Sequence, residues 1–337
     1  MPNIVSCHWE YRQIPLKRPY VLSFVTLETF NALFVHFTFD NGITRIGEVV
    51  PLLGYSSETV EDVIRSCELW LPHCIGQSIE TARETIASQI VKAPCASSLI
   101  LSALDPEIFD QPEKQRARSP VPLVYPTSSS DQNIEETIQK AIAQGYCTLK
   151  VKIGESLTQD LAVLPKLRNL VPARIRVRFD ANQAYSFENA KSFLNSVQEF
   201  LCDRTELVEQ PLPAEMWDAM SALVSASPVP LMLDESIHSF EDVTHAAQLG
   251  CQWIKLKLCK QGGISELIQM AEHAVSLGLK VVLGNGVATD VSNLVELWVY
   301  DRYRNLFSGA SESNGFTKLT QPIIHSNLRV QSGCAVW

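Results

Sequence analysis

Thr148-Leu149-Lys150-Val151-Lys152-Ile153-Gly154 is β-branched and apolar apart from two lysines two positions apart, and it closes on a glycine. Alternation along a strand puts Lys150 and Lys152 on one face. Two ammonium groups on one face are costly to place in a core. The stretch is therefore an exposed edge strand or a strand that needs its lysines. A later echo, Ile254-Lys255-Leu256-Lys257-Leu258, and three intervening strand-like runs that each end in a carboxylate favour the second reading.

Outward from this stretch the two periodicities alternate from residue 121 onward. Strands are expected at Val121–Tyr125, Thr148–Lys152, Ile175–Asp180, Leu207–Glu209, Leu231–Asp234, Cys251–Lys257 and Leu279–Leu283. Helices are expected between and after them, at 134–144, 157–170, 186–201, 214–226, 240–249, 263–277 and 290–303. Leu306–Ala310 is a shortened eighth strand. This is an α/β chain, a (β/α)7–8 TIM-like barrel over residues 116–318. An open doubly wound sheet is the alternative, but no G-x-G-x-x-G follows the first strands.

Before the barrel, residues 1–115 read as an α+β capping domain. Phe30–Phe39 alternates as antiparallel β, and Asp40-Asn41-Gly42 is a hairpin turn. The segment Gly47–Thr59 runs from a strand into a glycine-bearing loop and a helix start, with Ser56 or Ser57 as cap. Helical pattern then runs to about residue 110 with breaks at Pro72 and Pro94, and the polar, proline-bearing stretch 106–120 is the linker. The tail, residues 319–337, returns to the capping domain.

An apolar fraction of 46% and a charged fraction of 19% describe a globular protein with ample core. Net charge is −9 with no Lys/Arg cluster, which argues against nucleic acid or an anionic membrane as partner. No apolar run approaches the ~20 residues that span a bilayer, and Met1-Pro2-Asn3-Ile4-Val5 does not open a secretory signal. The nine cysteines are odd in number, form no C-x-x-C pair and read as reduced core residues of a cytoplasmic protein.

Functional groups of a parallel barrel sit at the C-terminal ends of its strands. Here those ends are Lys152, Asp180, Glu209, Asp234 and Lys257, spaced 28, 29, 25 and 23 residues apart, about one β/α unit each. Any one acid alone is more often a helix cap or a solvated loop residue. Five in register are harder to explain that way. Three carboxylates on adjacent strands are a hard oxygen set suited to Mg²⁺, with Mn²⁺ as the alternative ion. A cation so held stabilises the charge that develops when a proton α to a carboxylate is removed. A second ammonium and partial burial lower a lysine's pKa toward that of a usable base, and Lys150 and Lys255 stand beside Lys152 and Lys257.

Five motifs together are highly specific: Lys150-Val-Lys152, Asp180-Ala-Asn182-Gln183-Ala184-Tyr185, Glu209-Gln210-Pro211, Asp234-Glu235-Ser236 and Lys257-Leu-Cys-Lys260-Gln-Gly262-Gly263-Ile264. Through them the chain resembles the enolase superfamily, within it the muconate-lactonizing-enzyme subgroup, over essentially its whole length. The resemblance implies Lys152 and Lys257 as the acid/base pair, and Asp180, Glu209 and Asp234 as Mg²⁺ ligands. Lys150 and Lys255 become supporting lysines, although one lysine is commoner where this chain has the 255/257 pair. Asn182, Gln210 and Glu235 fall around the ligands. Loops near 18–25 and 51–57 close the site and set specificity, which brings in Tyr55 and Ser56. No histidine lies at Gly284-Asn285-Gly286, so the mandelate-racemase subgroup does not match.

The implied substrate is a small carboxylate and the intermediate an enediolate. Gly47-Glu48-x-x-Pro51-Leu52-x-Gly54-x-Ser56-x-Glu58-Thr59 looks like the capping loop of o-succinylbenzoate synthases, which points to a syn-dehydration. The alternatives are racemisation or epimerisation of N-acylamino acids or dipeptides, and cycloisomerisation. Dipeptide epimerases usually carry Asp-x-Asp near the eighth strand for the substrate ammonium; here Glu312-Ser313-Asn314 stands in its place. Glu312 is then either a cation site or a solvated loop acid, and Asn285 and Asn314 are hydrogen-bonding groups for a polar substrate tail. A non-catalytic binding protein on the same fold is the reading from another class; retention of all five strand-end residues speaks against it. Assembly into a homo-oligomer is left open.

Overall fold

The computed structural model describes residues 2–22, 25–54, 56–105, 117–325 and 327–337. Tyr55 and most of the expected 106–120 linker lie outside the described residues.

Strands β1 (Ile4–Val21), β2 (Thr26–Phe39) and β3 (Thr44–Val49) form an antiparallel sheet in the order β1-β2-β3. Gly42, at φ +80°, makes the turn between β2 and β3, a backbone region glycine enters without steric cost. Alternation gives β2 two buried faces. Leu33, Val35 and Phe37 pack with helices α1 (Val60–Cys74), α2 (Ile79–Ala87) and α3 (Pro94–Leu104). Phe30, Ala32 and Phe34 face the other way, onto Val287 and Val291. The cap of α1 is Thr59, in a reciprocal box with Asp62, not Ser56 or Ser57. Ser56 Oγ instead closes its own turn, accepting from Leu52 N at 3.1 Å. Pro72 does not break α1; it sits in the last turn.

The barrel begins with β4 (Val121–Pro122) and β5 (Val124–Ser128), then α4 (Ile134–Ala143), β6 (Thr148–Lys152), α5 (Leu157–Leu170), β7 (Arg176–Asp180), α6 (Phe187–Leu201) and β8 (Thr205–Glu209). It continues through α7 (Trp217–Ala226), β9 (Leu231–Leu233), α8 (Phe240–Gln248), β10 (Trp253–Leu256), α9 (Leu258–Gln261), α10 (Ile264–Ser276), β11 (Lys280–Leu283) and α11 (Asp290–Arg302). Strands β5 to β11 form one parallel sheet in sequential order.

Residues 308–312 fill the eighth place. Ser308 N and Glu312 N donate to Val281 O and Leu283 O at 2.8 and 2.9 Å, while Ser311 N donates to Pro122 O at 2.8 Å and Val124 N to Ser311 O at 3.1 Å. The eighth strand is thus two residues later than 306–310, because a 3₁₀ turn at Arg304–Leu306 follows α11.

The strands' outward faces (Leu149, Val151, Val177, Phe179, Val208, Leu233, Ile254, Leu256) pack under the helices as the main core. Their inward faces are layered. Leu207, Met232, Trp253 and Val282 form an apolar floor, and Glu209, Asp234 and Lys255 follow two residues further along three of these strands. Glu48 of β3 locks the N-terminal sheet to the barrel: its carboxylate accepts from Thr289 N and Ser292 N at 3.1 and 2.9 Å, at the start of α11.

The tail divides. Leu319 joins Ile14, Leu22 and Phe30 on the N-terminal sheet, but β12 (Arg329–Gln331) pairs with β13 (Cys334–Val336), and β13 with β4. All nine cysteines are free, and Cys147 and Cys202 are exposed rather than core residues.

Candidate active site

The five strand-end residues converge on the mouth of the barrel. Lys152 Nζ lies 2.6 Å from Asn182 Oδ1 and 3.1 Å from Asp180 Oδ2. Across the ring, Lys257 Nζ is 2.7 Å from Asp234 Oδ2, its side chain 1% exposed. Asn182 Nδ2 donates to Glu235 Oε1 at 3.1 Å. Gln210 Oε1 accepts from Asp234 N and Ser236 N at 3.0 and 3.3 Å, which holds the turn after β9. Asn182, Gln183 and Gln210 all have positive φ, an uncommon state for these residues. Backbone strain is therefore concentrated just beyond β7 and β8, where the acids must be aimed.

One layer down, Lys150 Nζ bridges Glu209 Oε2 at 2.6 Å, Glu312 Oε2 at 2.5 Å and Asp180 Oδ2 at 3.0 Å. Lys255 Nζ bridges Glu209 Oε1 at 3.0 Å, Glu312 Oε2 at 2.6 Å and Asp234 Oδ2 at 3.4 Å. Burial disfavours the Lys150 ammonium, but Asp180, Glu209 and Glu312 more than offset it and raise its pKa. It is a fixed cation and not a base. Asp180 is lowered to about 2: burial opposes, and Lys150, Lys152 and Lys255 prevail. Burial, with the Asp180 charge, pushes Glu209 up to about 8.

Glu312 is not a solvated loop acid, and it lines the cleft. It is 4% exposed, on the eighth strand, with both oxygens engaged by Lys150, Lys255 and Arg178. Asn285 Oδ1 accepts from Val287 N at 2.8 Å and its Nδ2 points to Cys259 Sγ, so it shapes the loop after β11; among the described residues that line the cleft it does not figure. Ser56 does not line the cleft either, whereas Asn314 does.

Several residues of the site are not singled out by strand ends. Arg178, fully buried on β7 two positions before Asp180, donates to Glu206 Oε2 at 2.6 Å and Glu312 Oε1 at 3.1 Å. The two-residue spacing that marks Lys150 beside Lys152 marks it too. Gly309 has φ +70°, which favours glycine, and a Cβ there would fall 2.4 Å from Arg178 Nη2. Lys260 Nζ donates to Asp234 Oδ1 at 2.8 Å. Lys318 Nζ donates to Asn314 Oδ1 at 2.8 Å and Gly286 O at 2.9 Å. Nothing in the local pattern around Lys318 marks it.

Asp180, Glu209 and Asp234 share ammonium partners, so they face one locus. Lys150 and Lys255 stand between them, and among the described residues no three acids are gathered into a ready metal cage. The donors still fit a divalent cation. They are hard oxygens, burial with the Asp180 charge raises Glu209 in spite of Lys150 and Lys255, and buried Glu235 Oε2 has no hydrogen-bond donor.

A closed parallel barrel with acids and lysines at the C-terminal ends of its strands defines a TIM-barrel enzyme. Residues 133–336 match the family model described as "Enolase C-terminal domain-like", and the chain belongs to the enolase superfamily, in its muconate-lactonizing-enzyme subgroup. It is similar to an L-amino acid-D/L-Glu epimerase of Francisella philomiragia, 26% identical over 84% of this chain and 83% of the relative. An N-succinyl-L-Arg/Lys racemase of Bacillus cereus is 27% identical over 86% and 82%. An o-succinylbenzoate synthase of Geobacillus stearothermophilus is 28% identical over 84% and 77%. In fold it matches the dipeptide epimerase of Enterococcus faecalis V583 complexed with Mg and L-Leu-L-Tyr, at TM-score 0.86, 21% identity, and 99% and 96% coverage. The chain is an enzyme of this superfamily, a lyase or isomerase. Among the described residues no helix is long and apolar enough to cross a membrane.

Proposed function

We propose that this enzyme transfers a proton at the carbon α to a carboxylate, racemising or epimerising an N-acylated amino acid or a dipeptide. The observation that carries the reading is the placement of Lys152 and Lys257. Lys152 ends β6 and Lys257 directly follows β10, four strands apart in an eight-place ring and so on opposite sides of the mouth, with Asp180, Glu209 and Asp234 at the ends of the three strands between. Two lysines flanking one locus can remove a proton from one face and return it to the other. Most of the relatives found are epimerases or racemases, which supports this over the dehydration suggested by the capping loop.

Asp180, Glu209 and Asp234 would hold Mg²⁺, with Glu235 beside them. When bound, the cation supplies positive charge for the substrate carboxylate as the α-carbon is deprotonated. Asn182 orients the Lys152 ammonium, Gln210 fixes the Asp234 turn, and Lys150 with Lys255 balances the buried acids. In this reading residues 1–115 and the tail from 319 cap the catalytic barrel of 116–318.

The test is incubation of N-acylamino acids and dipeptides in D₂O with Mg²⁺, following the α-hydrogen by NMR. Exchange with inversion is expected, and Lys152→Arg or Lys257→Arg should slow inversion about 10²-fold or more, since guanidinium does not deprotonate. Inversion at near-normal rates in either variant would overturn the two-lysine assignment. The second reading, syn-dehydration, is favoured by the synthase relative. It would show instead as a new alkene or aromatic product from the cyclohexene precursor of o-succinylbenzoate.

A further inference from the structure

Two buried acids outside the ring of strand-end charges are arranged alike, one behind each lysine. Asp160, on α5 and fully buried, accepts from Ser129 Oγ at 2.5 Å, Gly154 N at 2.9 Å and Tyr185 Oη at 2.7 Å. These donors lie in the loops after β5, β6 and β7. Glu296, on α11 and 1% exposed, accepts from Leu258 N at 3.3 Å, Asn285 N at 3.2 Å and Ser313 Oγ at 2.8 Å. Its donors follow β10, β11 and the eighth strand. Each acid therefore binds the chain just beyond a strand-end lysine and ties it to the loops of neighbouring strands.

The hold on the lysine backbone is close in both cases. Ser129, whose hydroxyl meets Asp160, donates its N–H to Lys152 O at 2.8 Å, and Gly154 lies two residues beyond Lys152. Leu258 is the next residue after Lys257, whose own N–H donates to Gln261 Oε1 at 2.7 Å. Burying a carboxyl group is costly unless its oxygens are hydrogen-bonded, and here they fasten the segments that aim the two ammonium groups. A proton-transferring group must be held to about 0.5 Å, and a shift of about 1 Å can cost 10²-fold in rate.

We infer that Asp160 and Glu296 are positioning residues, Asp160 for Lys152 and Glu296 for Lys257, so that each governs proton transfer at one face of the α-carbon. The inference rests on the proton-transfer reading above and gives each face its own support.

Its test reads the two faces separately. An N-acylamino acid of each configuration is incubated in D₂O with Mg²⁺, and loss of the α-hydrogen is followed by NMR before inversion accumulates. A lysine takes the proton from its own side, exchanges it with solvent and returns deuterium, so each configuration reports one lysine. Lys152→Arg and Lys257→Arg establish which. Asp160→Ala should slow exchange of the Lys152 configuration about tenfold or more relative to the other, and Glu296→Ala should do the reverse. General loosening of the fold would slow both alike. Ser129→Ala and Ser313→Ala each remove one of these hydrogen bonds and should move the ratio in the same directions by a smaller factor; they decide the question if alanine at either acid prevents folding. A ratio that stays put, or moves the same way on both sides, overturns the inference.

If the parent enzyme exchanges neither configuration, the proton-transfer reading fails, and amide hydrogen exchange followed by mass spectrometry decides the positioning separately. The variants at 160 and 129 should then speed exchange over residues 152–156 and leave 256–260 unchanged, and those at 296 and 313 should do the opposite. Equal change in both segments, or none, overturns the inference.

Discussion

Lys255 and Lys257 lie two residues apart on one face, yet tertiary contacts give them different work. Lys257 touches Asp234, whereas Lys255 spans Glu209, Asp234 and Glu312. Lys255 is thus a tethered cation among the residues proposed to hold Mg²⁺, and it competes with any ion those acids bind. Lys255→Met should therefore tighten Mg²⁺ binding by about tenfold, read by calorimetry. The same change leaves Glu312 with one cation fewer, and losing one partner of a buried pair costs on the order of 3 kcal/mol. The variant should melt lower without Mg²⁺ and gain more from added Mg²⁺ than the parent. Unchanged or weaker Mg²⁺ binding would mean that Lys255 does not compete.

At the scale of elements, the N-terminal sheet and α11 are joined through Glu48. Buried at the helix start, its carboxylate satisfies two N–H groups that have no partner within the helix. Burial raises its pKa, and the bonds from Ser292 and Thr289 oppose that. Glu48→Ala should cost about 2 kcal/mol in unfolding free energy, the sum of a lost cap and a buried donor left unpaired. Because α11 follows directly on the loop that carries Gly286, KM should rise more than kcat falls. Chemical denaturation and steady-state kinetics on one preparation check both. A loss under about 0.5 kcal/mol, the range of an ordinary surface change, would show that apolar packing alone joins the two parts.

For the molecule as a whole, the buried acids decide how stability depends on pH. Burial pushes Glu296, on α11 between Leu258 N and Ser313 Oγ, up to about 7, and in the unfolded chain a glutamate titrates near 4.3. Between those values the folded chain keeps a proton the unfolded chain has released, so stability falls as pH rises from about 5 to 7, by at most about 3 kcal/mol. Asp180 is lowered to about 2 and Glu312 is held well below the usual range, so neither titrates in that window, whereas Glu209, raised to about 8, adds a fall of the same sign as that of Glu296. The melting temperature of Glu296→Gln should vary less over pH 5 to 7 than that of the parent; parallel slopes would rule Glu296 out as the source. Much of this architecture was legible from order along the chain. Period-two alternation at Lys150/Lys152 and Lys255/Lys257, the strand-end acids about one β/α unit apart, and nearly every barrel strand and helix follow from local pattern, because each depends only on neighbours in sequence. What tertiary structure alone decided is partnership across the ring. Closure through residues 308–312 carries Glu312 into the interior and commits its carboxylate to Lys150, Lys255 and Arg178. The fold of the last turns back over β1 sets Lys318 against Tyr20. Alternation tells which face a side chain takes, but not which charge it will meet on a strand more than a hundred residues away.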